Sequence, residues 1–212
     1  MADYHDSSGR SLADYERPSV AVDTAVLTVV DDTLSVVVVP DSRDGTWRLP
    51  GTFLHGGEVL ADAVRRSLAN KAGIGGLEPV QLRVFDAPGR DVRGWVLSVA
   101  HVIAVRADAV AGATVVAADR AAPLAYDHDQ ILDLAVAHVR EAYRQHPDPY
   151  GLLGDAPFTL LELERLHRAV DPDGTPLRDT FRRAMEPQLV ATGEYERGAV
   201  GKPARQFLRR AV

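Results

Sequence analysis

The chain of 212 residues contains no cysteine, which excludes disulfide bonds and any zinc or iron–sulfur site that depends on cysteine ligands. It also lacks a long apolar run: the longest spans residues 36–39, far short of the roughly 18 residues that a transmembrane helix requires. The polar N-terminus has no apolar segment typical of a secretory signal peptide. We therefore expect a cytoplasmic protein that has no membrane partner.

Several signatures of catalytic and cofactor sites are missing as well. There is no P-loop and no Gly-x-Ser-x-Gly nucleophile elbow. The seven histidines are dispersed and form no cluster with the spacing of metal ligands. We predict that the protein has no metal site and needs no cofactor.

The charge is unevenly distributed. The net charge is −6, yet basic residues outnumber acidic ones from residue 177 onward. A basic end is typical of a segment that binds nucleic acid, and equally of a solvated face.

Periodicity and turn residues predict an α/β domain in the first two thirds of the chain. Residues 20–30 are rich in β-branched side chains, and Asp31 and Asp32 then turn the chain into a second strand that ends at Pro40. Asp127 or Asp129 is available as the N-cap of a long helix. The other predicted elements are strands at 47–49, 80–85 and 95–105 and a helix over 60–72.

A segment with three prolines and two glycines, residues 146–157, interrupts this pattern. After it, a helix to about Val170, a helix from about Thr175 to before Pro187 and two strands around a glycine-rich tip follow in the order of a winged helix-turn-helix module. The predicted division is a flexible N-terminal arm at 1–18, a first domain at 19–146, a linker at 147–157 and a DNA-binding domain at 158–212.

Residues 49–74 read LPGTFLHGGEVLADAVRRSLANKAGI, which resembles the Nudix box. The matching positions are Pro50-Gly51, Gly57-Glu58, Arg66 and Gly73. The resemblance implies an α/β/α sandwich with a mixed sheet. However, Ser67, Asn70 and Lys71 stand where Nudix hydrolases carry glutamates, and these side chains cannot hold the divalent cation that hydrolysis requires. We therefore expect no catalytic residues, and a pocket that binds a nucleotide without cleaving it.

The resemblance also indicates which side chains contact this nucleotide. The loop 86–94 resembles the segment that shapes the pocket of Nudix domains that recognise ADP-ribose, and arginine suits a diphosphate because its planar fork donates two hydrogen bonds. Trp47 is a candidate for stacking on adenine, although a solvated hairpin tip with a strand-border tryptophan is an alternative. Asp127 and His128 are either an anion site at a helix start or a simple capping motif. The candidate effector-binding residues are Trp47, Arg48, Glu58, Arg66, Arg90, Arg93, Asp127 and His128.

The C-terminal segment resembles the winged helix of Nudix-related transcriptional regulators, the repressors of NAD metabolism often called NrtR. The motifs that carry this resemblance are FTLLEL, Phe181-Arg182-Arg183, Thr192-Gly193-Glu194 and Gly201-Lys202-Pro203-Ala204. It implies a homodimer that binds palindromic operator DNA and responds to ADP-ribose or a related nucleotide. The candidate DNA-binding residues are Arg178, Arg182, Arg183, Lys202 and Arg205.

Two alternatives remain open. The chain can be an ADP-ribose pyrophosphatase that uses Glu58 with carboxylates outside the box, namely Asp86, Asp91 or Asp127. The arginines of the C-terminal segment can be a solvated face or an ion-pair network with Asp179 and Glu186. Some relatives regulate sugar catabolism, so the pathway also follows from resemblance alone.

Overall fold

The computed structural model describes residues 4–196 and 203–210. In the N-terminal arm, Asp6 closes a turn, and a short 3-10 helix at Leu12–Asp14 begins with a capping box between Ser11 and Asp14. The arm therefore contains local structure, while its flexibility stays a prediction. No helix within the described residues is both long and apolar enough to span a bilayer.

The first domain is built on a mixed sheet. The strands of this domain are β1 (Ser19–Val30), β2 (Thr33–Val37), β3 (Val39–Pro40), β4 (Trp47–Arg48), β5 (Gly51–Phe53), β6 (Val80–Phe85), β7 (Val96–Ala104) and β8 (Val115–Ala117). Strand β1 lies at the centre of the sheet and pairs with one neighbour in parallel and with two others antiparallel. The strand order is β6-β7-β1-β2-β8, with β5 also paired to β1, and a separate ribbon joins β3 to β4.

Side chains of β1 alternate between the two faces of the sheet. Val22 and Val26 pack against helix α1 (Leu60–Ala72), whereas Ala25 and Leu27 pack on the face of helix α2 (His128–Gln145). The result is the α/β/α sandwich that the box implies. Helix α1 ends at Gly73, whose backbone has a positive φ of 68° and donates its N–H to the carbonyl of Leu68.

The predicted hairpin, the helix over 60–72 and the strand at 80–85 are confirmed. The tight turn between β1 and β2 places Asp31 and Asp32 at positive φ. Strands β5 and β8 have no counterpart in the prediction, because each is only three residues long. Such short strands lack the alternation on which the prediction depends.

The second unit contains helices α3 (Leu160–Val170) and α4 (Arg178–Met185) and an antiparallel sheet of β9 (Phe158–Thr159), β11 (Ala204–Arg209) and β10 (Leu189–Glu196). Thr159 and Glu162 form a capping box at the start of α3. The predicted second helix is shorter than expected: it begins at Arg178 rather than near Thr175, because residues 171–177 form a turn held by Asp171. Phe181 and Met185 are buried, as their spacing predicts.

Helix α3 joins the two units. Its residues Leu166 and Val170 belong to the core that α2 and the sheet form. Asp148, in the segment between the units, is buried and accepts hydrogen bonds from Tyr143 and from the N–H groups of Leu152 and Leu153, and it pairs with Arg209 at 2.7 Å. Asp148 therefore anchors the predicted linker to α2 through Tyr143 and to β11 through Arg209.

Candidate functional sites

A polar cleft opens between the middle of β1, the start of β5, the C-terminal end of α1 and the N-terminal end of α2. Five cationic side chains and three carboxylates line it, so that its local charge is positive although the chain as a whole is acidic. We call it the α1/α2 pocket. Its lining includes Asp23, Asp41, Arg43, Arg48, Phe53, Lys71, Arg90, Asp91, Arg93, Tyr126 and His128.

Asp23 is a buried acid at the base of this pocket. Its carboxylate accepts a 2.5 Å hydrogen bond from the hydroxyl of Ser98 and lies 3.4 Å from Nε2 of His128. The N–H of Leu49 donates to Nδ1 of His128, which leaves the ring proton on Nε2, facing Asp23. Burial raises the pKa of Asp23, but the contacts with His128, Ser98 and Arg90 outweigh it and lower the pKa to about 2.

Arg90 is held by two acids. Its guanidinium donates to both carboxylate oxygens of Asp127, at 2.8 and 2.5 Å, and lies 3.9 Å from Asp23. Its side chain is only 4% exposed. Asp127 stands at the N-cap position of α2, yet its side chain makes no capping hydrogen bond. The capping interpretation of Asp127 is therefore wrong, because its carboxylate is occupied by the buried arginine.

The rim of the pocket is more open. Asp91 binds Arg93, whose side chain is 49% exposed and whose guanidinium lies over the rings of Phe53 and Tyr126. A guanidinium between two aromatic faces is kept in place while its outer edge stays available to a ligand. Asp41 binds Arg43 in the same two-residue pattern, and the guanidinium of Arg43 also lies over the Tyr126 ring.

The loop of the box is fastened by Arg66. Its guanidinium donates two hydrogen bonds to Glu58, at 2.7 and 2.8 Å, and others to the Phe53 carbonyl and the Thr52 hydroxyl. The hydrogen bonds from Arg66 lower the pKa of Glu58 to about 2. The i,i+4 spacing of Asp62 and Arg66 predicts an ion pair between them, but Asp62 accepts a hydrogen bond from Arg65 instead. Glu58 and Arg66 support the loop and lie outside the pocket lining.

The three substituted positions of the box differ in environment. Ser67 is buried, and its hydroxyl has no hydrogen-bond partner. Asn70 is exposed. Lys71 lies in the pocket wall, where its ammonium group donates to the carbonyl of Gly51. Gly51 has no room for a side chain, because a Cβ there would lie 1.7 Å from the carboxylate of Asp23.

Of the eight predicted effector-binding residues, Arg48, Arg90, Arg93 and His128 line the pocket, whereas Trp47, Glu58, Arg66 and Asp127 lie outside its lining. Trp47, the candidate for stacking on adenine, is on the short ribbon and is 37% exposed. The pocket also contains residues that the sequence patterns did not predict, namely Asp23, Asp41, Arg43, Phe53 and Tyr126. A signal for Asp23 was available: it is an isolated acid in an otherwise apolar strand.

Four of the five predicted DNA-binding residues are described by the structure, and all four are exposed. Arg178 and Arg182 on α4 are 74% and 64% exposed, and Arg205 on β11 is 52% exposed. Arg183 is also exposed and donates to the carbonyl of Asp179. Lys202 lies outside the described residues. We call Arg178, Arg182, Arg183 and Arg205 the α4 basic surface.

Part of the predicted ion-pair alternative is present on this surface. Glu186 binds Arg182 at 2.6 Å and lies 3.7 Å from Arg205, and Glu164 lies 3.9 Å from Arg178. The arginines of these pairs are solvent-exposed, where a salt bridge contributes little, so they can exchange a carboxylate for another anion at small cost.

The mixed-sheet sandwich and the Arg66-fastened loop define a Nudix-type domain, which in this chain is followed by a second, basic unit. The chain is similar in fold to NrtR of Shewanella oneidensis. The structure of that protein in complex with a 27mer DNA is 26% identical, with a TM-score of 0.73 over 90% of this chain and 93% of that chain. Its uncomplexed form is 27% identical, with a TM-score of 0.72 over 91% of this chain and 94% of that chain.

Two further relatives bear on the first domain. The Nudix domain of S. oneidensis NrtR in complex with ADP ribose is 27% identical, with a TM-score of 0.53 over 62% of this chain and 95% of that chain. An ADP-ribose pyrophosphatase of Methanocaldococcus jannaschii is 27% identical over 127 residues, which are 56% of this chain and 73% of that protein. No family model matches the sequence. The chain is thus similar to Nudix-domain transcriptional regulators over nearly its full length.

Proposed function

We propose that this protein is a transcriptional repressor that binds operator DNA and releases it in response to ADP-ribose or a closely related nucleotide. The observation that carries the proposal is the pairing of two sites in one chain: a positively charged pocket behind a box without metal-binding glutamates, and the α4 basic surface. The similarity to NrtR over 90% of the chain supports it.

The second unit is proposed to be a winged helix. Helix α4 then enters the major groove of DNA, where arginine contacts guanine edges or phosphates. Strands β10 and β11 form the wing, and Arg205 reaches the DNA backbone. We further propose that two copies bind a palindromic site, because the two-fold symmetry of a dimer is mirrored in its operator. By resemblance, the regulated genes belong to NAD biosynthesis or salvage.

A physical connection between the two sites runs along α2 and across α3. His128, the first residue of α2, lines the pocket, and Tyr143 near the end of α2 contacts His167 of α3 at a ring-centroid distance of 5.0 Å. His167 in turn contacts Phe181 of α4 at 4.8 Å. A ligand that binds one position of α2 more tightly than another shifts this stack and the basic surface with it.

The test is a gel-shift titration with the DNA upstream of the protein's own gene and its neighbours, with and without ADP-ribose. We expect a specific shift that ADP-ribose weakens by roughly 5–150-fold, the usual range of allosteric coupling. Replacing Arg178, Arg182 and Arg183 by alanine is expected to abolish the shift. The matched control is Arg106→Ala, which removes an exposed arginine of the first domain that pairs with Asp108. Retained binding by the triple variant contradicts the winged-helix assignment.

The competing function is hydrolysis of ADP-ribose, which the similarity to the M. jannaschii pyrophosphatase favours. The acids that it requires are occupied: Glu58 binds Arg66, Asp91 binds Arg93 and Asp127 binds Arg90. Asp86 is exposed and outside the pocket lining. We expect no product after prolonged incubation with ADP-ribose and Mg²⁺ or Mn²⁺, measured by chromatography. If AMP and ribose 5-phosphate appear, and if their formation depends on Glu58, the hydrolase function is supported instead.

A further inference from the structure

Lys71 is the feature of the α1/α2 pocket that the box alone does not explain. The chain has only two lysines, Lys71 and Lys202, and relies on arginine for its other cations. Lys71 is solvent-accessible at the pocket, and its ammonium group donates to the carbonyl of Gly51. Partial burial and the positive charge of Arg48 lower the pKa of Lys71, and Asp23 opposes this shift.

Within the described residues, Lys71 differs from the other pocket cations in having no carboxylate within 4.0 Å. Arg43 pairs with Asp41, Arg90 with Asp127, and Arg93 with Asp91, while Arg48 lies 3.4 Å from Asp41. An ammonium group has three donors, and the Gly51 carbonyl takes one. Lys71 therefore presents to the pocket a positive charge that no carboxylate pairs with directly, together with donors that the Gly51 carbonyl does not use.

The residues present do not suit a divalent cation, which a Nudix fold otherwise implies. Within residues 4–196 and 203–210, no group of three or more His, Asp or Glu side chains is arranged to hold a metal. At the substituted positions, Ser67 is buried, Asn70 is exposed and Lys71 directs a positive charge into the site. A fixed ammonium repels a second cation, whereas it attracts phosphate.

We propose that Lys71 replaces the divalent cation: its ammonium group binds the diphosphate of the nucleotide directly, and the pocket binds its ligand without metal. Arg93, which lines the same pocket, provides a second phosphate contact from its place over the rings of Phe53 and Tyr126. This inference rests on the proposed function, since it names the group that reads the effector's phosphates. It also explains why the helix and loop of the box are kept. A lysine at this helix position supplies the positive charge that the divalent cation supplies in the hydrolases.

The experiment is calorimetric titration of the full-length protein with ADP-ribose, in EDTA and in Mg²⁺. We expect equal Kd values under both conditions. The variant Lys71→Gln is expected to weaken binding roughly 10–100-fold, the effect of losing a charge-assisted hydrogen bond, and Lys71→Arg is expected to restore part of it. Adenosine, which has no diphosphate, is expected to bind the wild type and Lys71→Gln equally. The matched control on the same helix is Arg65→Gln, which removes an exposed cation that binds Asp62 and Glu78.

A nuclear magnetic resonance measurement can follow Lys71 directly in the wild-type protein. Reductive ¹³C-methylation labels only Lys71, Lys202 and the α-amino group. In EDTA, ADP-ribose is expected to shift the Lys71 signal and leave the Lys202 signal in place. The Lys71→Gln variant identifies the signal by its loss.

The outcomes separate the inference from the function on which it rests. Binding that disappears in EDTA, or an unchanged Kd in Lys71→Gln, overturns the role of Lys71 while the nucleotide sensor stands. Absence of ADP-ribose binding under both conditions overturns the proposed effector, and the inference with it.

Discussion

The α1/α2 pocket and the α4 basic surface use arginine in opposite ways. In the pocket, Arg90 is 4% exposed and bound by two acids, whereas on α4 the side chains of Arg178 and Arg182 are 74% and 64% exposed. A buried pair fixes its geometry during folding, at a considerable desolvation cost. An exposed pair is weak and exchangeable. Under the proposed function, we therefore expect the pocket to be preorganised for one small anion and the surface to adapt to a polyanion.

The largest expected effect comes from breaking the buried side of this comparison. Arg90→Met leaves Asp127 and Asp23 without their shared cation, and we expect a loss of roughly 3–5 kcal/mol in the free energy of unfolding, because an uncompensated charge stays buried. The measurement is urea denaturation at pH 7. Arg93→Met is the matched control in the same pocket: its side chain is half exposed, and we expect a loss below about 1 kcal/mol. Equal losses in the two variants would show that burial does not distinguish these arginines.

We expect the junction between the two sites to lose stability in acid, because of His167. His167 is buried, its Nε2 has no hydrogen-bond partner, and burial lowers its pKa to about 4. The unfolded chain, with a histidine pKa of about 6.5, binds this proton first. Stability is thus complete above pH 6.5 and is lost as the pH falls toward 4, by roughly 2–3 kcal/mol.

His167→Gln provides the test of this dependence, since glutamine does not titrate. The difference in unfolding free energy between pH 7 and pH 4.5 is expected to shrink in the variant, whatever its absolute stability. Asp23 acts at lower pH: its pKa of about 2 means that its contribution is lost between about pH 4 and 2. A variant with the wild-type slope between pH 7 and 4.5 would assign the acid sensitivity to another group.

The sequence predicted the framework of the fold and only part of the site, for physical reasons. Elements with strong local signals were found, such as the hairpin at Asp31-Asp32 and the helix that ends at Gly73. The Nudix-like box predicted where the loop lies. Its spacing does not show, however, that Arg48 lines the pocket whereas Glu58 supports the loop from outside the lining. Asp23 enters the pocket only because β5 pairs with β1 and α2 brings His128 beside it. Such contacts depend on tertiary structure, which local patterns do not contain.

The segment between the units offers a smaller effect. Sequence alone indicates a flexible linker, yet Asp148 binds Tyr143, two backbone N–H groups and Arg209. Asp148→Asn keeps the size of the side chain and removes its charge, and we expect a loss of roughly 1–3 kcal/mol. If α3 transmits the effector signal, the variant also reduces the ratio of DNA affinities measured without and with ADP-ribose. The control is Asp155→Asn, which removes the exposed partner of the same arginine; comparable losses in both variants would show that burial of Asp148 has no special role.

The smallest expected effect on stability comes from the exposed α4 basic surface, although the expected effect on DNA binding is large. Arg182→Ala removes an exposed arginine that pairs with Glu186, so we expect the unfolding free energy to change by less than about 0.5 kcal/mol. If Arg182 contacts a base, the free energy of DNA binding weakens by roughly 1–3 kcal/mol and the preference for one base at that operator position is reduced. If it contacts a phosphate, binding weakens equally for all DNA sequences, and the slope of log affinity against log salt concentration decreases by about 1. Binding to operator variants at several salt concentrations distinguishes the two. Unchanged affinity at every salt concentration would mean that Glu186 retains the arginine even beside DNA, and that this part of the basic surface is structural.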